Sequence, residues 1–499
     1  MMKALIAGLF LLCCSALMAQ NRNTYSIQGK VIDENGLPLP YAYVLINSLN
    51  LGTTTDSKGN YQLEKVPLGT HQITALMVGM KKQTKTIRIK NQALEGINFT
   101  LKEDAQQLGE VVVRGENEAG LLRQSAKAVD VIETKEAILQ SADMGEVIAQ
   151  SQGVNVRRTG GLGSGTRFSL NGLTDDQIRF FMNGIPLNFM GYTLGIANVP
   201  VNLIERVEIY KGVVPIQFGA DALGGAVNLV SPEIFPGFSG AVSYQTGSFG
   251  THRTTLDIKD FNDQTGVFIQ VGGFYDFAKN NYMVDVEVPD QQGRLSEVTV
   301  PRFHDNYSAA GINTQVGVKN KSWAKEASVR VFATDFSNDI QHNNVMSIPY
   351  GEATFDRQSY GLSGIYQSPD THWLETDVLV GYTYEQRHFL DTGRYVYTWF
   401  GERIRERGSS GELGVASDQF LWDDNLYGRV NLSKSFNERH AVQFSTAPTF
   451  VSRTGDEKRQ TNPDSRDPLT AQRDLFTLIS GLEYVYRSKN DKLENRLFF

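Results

Sequence analysis

From about residue 238 onward, hydrophobic and polar residues alternate in segments roughly ten residues long. In GVFIQVGGFYDFA, Val267, Ile269, Val271, Tyr275 and Phe277 fall on one face, with Gln270 and Asp276 on the other. In TDVLVGYTYEQ, Val378, Val380, Tyr382 and Tyr384 share a face. A period of two is that of a β-strand. Similar runs near 312–318, 327–333, 426–432 and 476–486 bring the expected total to about ten strands. The connections are unequal. Asn437-Glu438-Arg439 is a tight turn, whereas 285–305, 388–420 and 453–472 are long and polar. A single such strand also suits a soluble sandwich. Repeated apolar faces closed by Tyr and Phe, with short turns alternating with long loops, predict the wall of an antiparallel transmembrane barrel with its polar side inward.

Two differently patterned stretches precede this one. Residues 25–101 carry short apolar strands punctuated by Asn35-Gly36, Lys58-Gly59-Asn60 and Pro67-Leu68-Gly69, which predicts a small β-sandwich. Lys81, Lys82, Lys85, Arg88 and Lys90 read as the solvated face of one of its strands. Residues 102–124 are a polar linker around one apolar patch, LGEVVVRG, a strand that a partner can pair with by β-addition. Residues 125–232 form an α+β unit. It begins with a strand at 128–132 and a helical stretch at 134–150, with Ile138, Leu139, Val147 and Ile148 on the buried side. A glycine-rich loop, RRTGGLGSGTR, and strands at 168–170, 178–183 and 204–210 follow. The loop lacks the lysine of a phosphate-binding loop and opens no clear helix.

Composition narrows the function. The net charge of −7 argues against nucleic acid as the main partner. The start, MMKALIAGLFLLCCSALMAQ, has a lysine, an apolar run from Ala4 to Leu12 and small residues up to Ala19: a secretory signal peptide over 1–20. Both cysteines lie within it, so disulfides do not hold the exported chain together. The seven histidines are scattered, with no pair spaced for a zinc site on one helix, and neither a metal centre nor an enzyme active site is expected.

Longer motifs add a family resemblance. QGKVIDENGLPLPYAYV and GTTTDSKGNYQLEKVPLG resemble the carboxypeptidase-regulatory-like domain at the front of many Bacteroidetes outer-membrane receptors. SADMGEVIAQSQGVNV, RFSLNG, RFFMNGIPLN, LIERVEIYKG and FGADALGGAVNLVS, in that order, resemble the plug of a TonB-dependent receptor, and LGEVVVRG resembles the TonB box. The resemblance implies a mainly β protein. Its parts would be a signal peptide (1–20), a β-sandwich (21–101), a linker (102–124), a plug (125–235) and a partial barrel (236–499).

The resemblance also implies roles. Glu110, Val111, Val112 and Val113 would be the TonB box. Asn171, Gly172, Asn183, Gly184, Glu205, Arg206, Glu208, Gly212, Gly219, Gly224 and Gly225 would carry the plug's structural motif. Asn171 and Asn183 stand where the family usually has arginine and often aspartate, which puts a salt bridge at either place in question. Val207 and Ile209 would pack the plug core while Arg206 and Glu208 face lumen charges. The outward plug loops would bring Arg157, Arg158, Thr159, Asn188, Phe189 and Tyr192 to an anionic ferric chelate. For the two arginines, pairing with lumen carboxylates is an equal alternative. Arg394, Tyr395, Tyr397, Trp399 and Arg403 repeat the theme in a barrel loop, although the alternation of the aromatics also suits a strand face.

The expected function is energised uptake of a bulky solute across an outer membrane. The implied partners are a periplasmic TonB-type protein, outer-membrane lipids and a small ligand. Iron enters only as part of a chelate. A ferric siderophore is placed ahead of glycan or cobalamin, and a ligand-sensing, signal-transducing receptor is the rival. Ten strands cannot enclose a plug of about a hundred residues, so the chain is read as the N-terminal portion of a longer receptor.

Overall fold

The computed structural model describes residues 24–103, 129–487 and 494–498, apart from 47–48, 50, 78–79, 91, 136, 138–142, 175–176, 193–194, 213, 220–223, 291, 344, 370–372, 409, 438 and 460–467. The expected leader at 1–20, the apolar patch at 110–113, and Ile138 and Leu139 lie outside the described residues. The chain divides into two units, Met1–Gly115 and Glu116–Phe499.

The front unit is a sandwich of two four-stranded sheets. One runs in the order Asn60–Pro67, Thr24–Asp33, Phe99–Glu103, Met80–Lys81; the other Leu51–Thr54, Tyr43–Ile46, Gly69–Leu76, Gln83–Ile89. Alternation decides which side chains fill the gap between them: Tyr61 and Leu63 point in while Asn60, Gln62 and Glu64 point out. Ile27, Val31, Val44, Ile46, Ile73 and Phe99 complete the core. The turns are set by side chains that accept from the backbone two and four residues on. Asp33 Oδ1 accepts from Asn35 and Leu37, and Asp56 Oδ1 from Lys58 and Asn60. The five basic residues of 81–90 are exposed.

The second unit begins with the plug. A five-stranded mixed sheet runs Ile185–Pro186, Ile178–Met182, Gly225–Val230, Arg206–Tyr210, Val129–Glu133. A three-stranded sheet, Val154–Arg158, Thr166–Leu170, Leu173–Thr174, lies beside it. Between them sits the helix Met144–Ala149, whose first turn is capped by Asp143 Oδ1 accepting from Glu146 N at 3.0 Å. Val147 and Ile148 are buried, as the helical pattern requires.

Both asparagine–glycine pairs of the plug are tight hairpin turns. Asn171 and Gly172 have φ of 52° and 85°, Asn183 and Gly184 of 51° and 74°. They join Leu170 to Leu173 and Met182 to Ile185. Positive φ at both central residues is the turn whose twist matches a hairpin, and asparagine tolerates it better than most side chains. The two asparagines therefore shape the backbone at these positions. Asn183 also clasps Ser231, accepting from its N–H at 2.9 Å and donating to its Oγ at 3.1 Å. This fixes the turn to the segment through which the chain leaves the plug. Gly225 serves a different need: a Cβ there would lie 2.1 Å from the carbonyl oxygen of Tyr210, so only glycine lets the central strands meet.

After residue 236 the chain builds one antiparallel sheet. Among the described residues it has eleven strands, one more than the pattern counted: Gly237–Gly247, Thr251–Phe261, Val267–Ala278, Tyr307–Lys319, Glu326–Asp339, Thr354–Gln367, Glu375–Asp391, Ser417–Ser435, His440–Glu457, Arg473–Arg487 and Glu494–Phe498. Several strands extend further into the expected loops than periodicity suggested. Asp391 and Ser417, both within the 388–420 loop, are strand residues. The long connections also carry hairpins of their own, Met283–Pro289 with Leu295–Pro301 and Tyr395–Tyr397 with Arg403–Glu406.

The sheet is two-faced. Leu379 is 1% exposed and packs in the plug's core, whereas its neighbour Val380 is 52% exposed on the opposite face. Val242, Ile269, Val316, Val331, Leu362 and Leu426 extend that exposed apolar face across the strands. Among the described residues no helix is long and apolar enough to cross a membrane.

Candidate functional site

The plug is held on the inward face of the wall by a shared core and a small set of polar clasps. Phe189 stacks on Tyr427 with ring centroids 5.0 Å apart, and Tyr192 on Phe274 at 5.9 Å. The two plug rings are 3% and 5% exposed. Both residues were expected at a ligand-facing apex; in this structure their faces are taken up by the wall. Nearby, Thr334 Oγ1 donates to the Gly191 carbonyl at 3.1 Å, and Arg330 reaches Met190 Sδ at 3.4 Å. Asn188, between the buried rings, is exposed.

The glycine-rich loop forms the tip of the three-stranded sheet. Its contacts are backbone-directed: Asn280 Nδ2 donates to the Leu162 carbonyl at 2.9 Å and Asn338 Nδ2 to that of Gly163 at 3.2 Å. The two arginines at its base diverge. Arg158 pairs with Asp143, the helix cap, so its partner is a plug carboxylate rather than a lumen one. Arg157 is exposed, as is Thr159, whose hydroxyl bonds to the Gly165 carbonyl across the loop.

At the centre of the plug sheet, Glu208 is buried and bonded to three neighbours. It accepts from Arg206 Nε at 2.9 Å, Tyr210 Oη at 3.0 Å and Asn228 Nδ2 at 3.0 Å. Asn228 in turn accepts from Gly184 N at 2.9 Å. This corrects the expectation that Arg206 and Glu208 face lumen charges: they bond to each other within the plug. Val207 and Ile209 do pack the core. Glu205 continues the sheet through its backbone, donating to Val230 and accepting from Thr134.

From the Asn183-Gly184 turn, contacts pass to the wall. Arg429 donates to the Gly184 carbonyl and, at 3.0 Å, to Asp377. Asn431 donates to the Gln217 carbonyl at 3.0 Å, and Gln217 bonds Gln443. A cavity of about 190 Å³ lies beside these clasps, lined by groups of both signs that include Lys319, Arg330, Glu326 and Asp377. It is roomy and polar enough to hold several waters.

The barrel-loop candidates divide in the same way. Tyr397 is buried and donates to Glu352 at 2.6 Å. Trp399 is buried among Val286, Val300 and Met346, joining the two loop hairpins. Arg394 and Arg403 are exposed, and the Arg403 guanidinium lies 4.3 Å from the centre of the Tyr395 ring. The strand-face reading of these aromatics applies only to Tyr395 and Tyr397, which lie in the first strand of that hairpin.

Sequence reasoning missed a group on the wall. Arg357, Arg387 and Arg453 come from three strands and meet around Glu385 and Asp423. No motif marks them. Only strand register brings them together. Among the described residues no group of three or more His, Cys, Asp or Glu could hold a metal ion.

With this geometry in view, comparison with known proteins identifies the parts. Residues 27–113 match the family of the CarboxypepD_reg-like domain, and residues 121–226 the TonB-dependent Receptor Plug Domain. The vitamin B12 transporter BtuB of Vibrio vulnificus (strain CMCP6) is 26% identical over 135 residues, 27% of this chain and 22% of BtuB. The ferripyoverdine receptor of the Pseudomonas aeruginosa outer membrane, solved bound to ferripyoverdine, aligns with a TM-score of 0.52 at 14% identity, over 75% of this chain and 51% of that one. The siderophore receptor PirA of Acinetobacter baumannii aligns with a TM-score of 0.50 at 14% identity, over 74% and 56%. At such identity the structural likeness speaks for the fold alone.

A regulatory-like sandwich, a plug and an antiparallel wall follow one another in this order, and the two domain matches support a TonB-dependent receptor, of a receptor and transporter family. The chain spans about half the length of the solved receptors it resembles.

Proposed function

We propose that this receptor takes up a bulky solute across the outer membrane, driven by a periplasmic TonB-type partner, and that the solute is a ferric siderophore. The observation that carries the reading is the way the plug is seated. Its core is continuous with the wall through Phe189 and Tyr192, and among the described residues many of its polar attachments run from wall side chains to plug backbone carbonyls, beside side-chain pairs such as Gln217 with Gln443 and Asn202 with Ser243. A stopper of this kind seals the lumen and can still be remodelled without breaking a covalent link.

Force enters at one edge. Among the described residues Val129–Glu133 is the outermost strand of the plug sheet and pairs only with Arg206–Tyr210. The proposed TonB box, Glu110 to Val113, precedes it in the chain. Pulling on that segment loads the edge strand from its end, so its hydrogen bonds open one after another rather than all together. The strand is tethered by Asp130, which pairs with Lys211 at 2.5 Å and accepts from Ser151 at 2.6 Å.

For the solute, the exposed Arg157 and Asn188 of the plug and Arg394 and Arg403 of the loop hairpin offer donors suited to an anionic chelate. Cobalamin is the second reading, favoured by the partial identity to a vitamin B12 transporter. The exposed apolar face of the wall is what membrane lipid would cover, and 1–20 is the proposed export signal. A front sandwich of the regulatory-like type disfavours a dedicated signalling receptor.

Transcript levels of the full gene under iron limitation and under polysaccharide feeding test the choice of solute. Induction by iron starvation supports it. Induction by polysaccharide alone counts against it.

A further inference from the structure

Four charged or titratable side chains gather at the loop end of the wall. Arg302, His304 and Asp305 come from the connection between Leu295–Pro301 and Tyr307–Lys319, and Asp339 ends the strand Glu326–Asp339. Arg302 Nη2 lies 3.1 Å from Asp305 Oδ1, and His304 Nδ1 lies 3.5 Å from Asp339 Oδ2. In chain order the four side chains are 7%, 15%, 16% and 19% exposed, so water screens them little. Among the described residues their ion pairs are made with one another.

The charges do not balance at high pH. Two carboxylates face one guanidinium, which leaves one negative charge in a poorly hydrated place, a costly arrangement. A single proton removes the excess, and two groups can take it. His304 Nε2 lies 2.9 Å from the Ala353 carbonyl oxygen while Nδ1 faces Asp339, so both ring nitrogens look at acceptors and only the protonated ring donates to both. Burial pushes the Asp305 carboxyl up to about 7, against the pull of Arg302 and with the help of Asp339. His342, from the 340–353 loop, also lies near Arg302, but burial holds it towards its neutral form.

The same group touches three segments. Arg302 Nη1 donates to Tyr282 Oη, and a Cβ at Gly160 of the plug would lie 3.1 Å from that oxygen and 3.3 Å from Arg302 Nη1. Asn338, next to Asp339, holds the Gly163 carbonyl, and the Tyr307 ring fills the space that a Gly163 side chain would need. Towards the loops, Gln341 Oε1 accepts from Phe303 N and His304 N at 2.7 and 2.5 Å, and Asn306 Nδ2 donates to Asp339 Oδ2 at 2.6 Å.

We propose that Arg302, His304, Asp305 and Asp339 bind one proton and act as a latch: protonated, they fasten the 302–306 and 340–353 loops and the plug's glycine-rich loop to one another, and on losing the proton they release them. The sign follows from linkage. A carboxyl whose folded pKa is raised contributes stability that is fully present below its unfolded value and is lost as pH rises through the folded one. A proton taken up by the His304 ring acts in the same direction. The loop end therefore loosens as pH rises through about 7. This device does not depend on which solute is carried.

Hydrogen exchange of the purified full chain in detergent, corrected at each pH for the intrinsic rate, tests it. Protection of 340–353 and 159–165, relative to Ser417–Ser435, should fall about tenfold between pH 6 and pH 8, the change expected for one proton. Asp305→Asn puts a neutral side chain in place of the protonated carboxyl and should keep protection at pH 8 near the parent's value at pH 6. His304→Gln removes the ring's charge and should bring protection at pH 6 towards the parent's value at pH 8. The opposite signs separate a latch from damage, because a merely structural loss at either position loosens the loops at both pH values. A parent ratio that is flat or rises with pH, substitutions without effect, or Asp305→Asn loosening the loops at pH 8 overturns the latch and leaves the uptake reading standing.

Discussion

Phe189 of the plug lies on Tyr427 of the wall, ring centroids 5.0 Å apart and planes inclined by 30°. The two residues are far apart in sequence, and the contact belongs to a core that plug and wall build jointly. Truncating a buried phenylalanine in such a core costs about 3 kcal/mol. Phe189→Ala should therefore loosen the 187–190 turn, raising its amide hydrogen exchange roughly a hundredfold. Tyr427→Phe keeps the ring and should change it little. Equal exchange in Phe189→Ala and the parent would mean that the ring contributes nothing to seating the plug.

Glu208 is bonded to Arg206, Tyr210 and Asn228. Removing it leaves buried donors without an acceptor, a loss of about 2–3 kcal/mol. Glu208→Ala should speed exchange in Gly225–Val230 and Ile178–Met182 together, because Asn228 links the network to the Gly184 turn. Tyr210→Phe removes one bond and should cost about 1 kcal/mol. Hydrogen exchange resolved by peptide distinguishes the two effects.

Asp130 fastens the edge strand of the plug. Burial pushes its carboxyl up, but the bonds from Lys211 and Ser151 outweigh this and hold it below the ordinary carboxylate range. A depressed pKa means that the tether is fully present above the unfolded value and is lost as pH falls through the folded one. Exchange in Val129–Glu133 should therefore accelerate, relative to Gly225–Val230, as pH falls below about 4. Asp130→Asn should show the fast rate already at neutral pH. A pH-independent ratio in the parent contradicts the tether.

The loop end of the wall is ordered by carboxylates that accept from the backbone. Glu412 takes the N–H groups of Gly351, Glu352 and Ala353 at 2.8, 2.8 and 2.9 Å, and Asp391 takes those of Glu412 and Leu413 at 2.5 and 2.7 Å. Glu412→Ala should leave 341–353 and 403–416 open to limited proteolysis while wall strands stay protected. Glu412→Gln, with one acceptor oxygen left, should fall between. Cleavage patterns identical to the parent would show that the loops are held by other contacts.

The fold was legible where physics is local. Alternation marked Val378 to Tyr384 as one face of a wall strand, and the ordered plug motifs marked the stopper. The Asn171-Gly172 and Asn183-Gly184 pairs carried a strong hairpin signal, although their family context drew attention to charge instead. What was not legible depends on partners distant in sequence. Nothing near Phe189 or Tyr192 says that a wall strand will cover them. Arg206 and Glu208 look like lumen-facing charges until Asn228 is placed beside them. Arg357, Arg387 and Arg453 form a group only through the register of four strands, and a slip of one residue in any of them would turn its side chains to the opposite face.

The central claim is energised uptake through a movable plug, and radio-iron accumulation tests it most directly. Cells expressing the full receptor gene, with other iron-uptake receptors deleted, are given a radio-iron siderophore under iron limitation. They are compared with cells whose receptor carries Val112→Pro, a proline within the segment proposed to be gripped by β-addition. The account predicts accumulation in the first strain and its loss in the second, with binding at the cell surface intact. Accumulation that is indifferent to the proline, or absent in both strains, would contradict it.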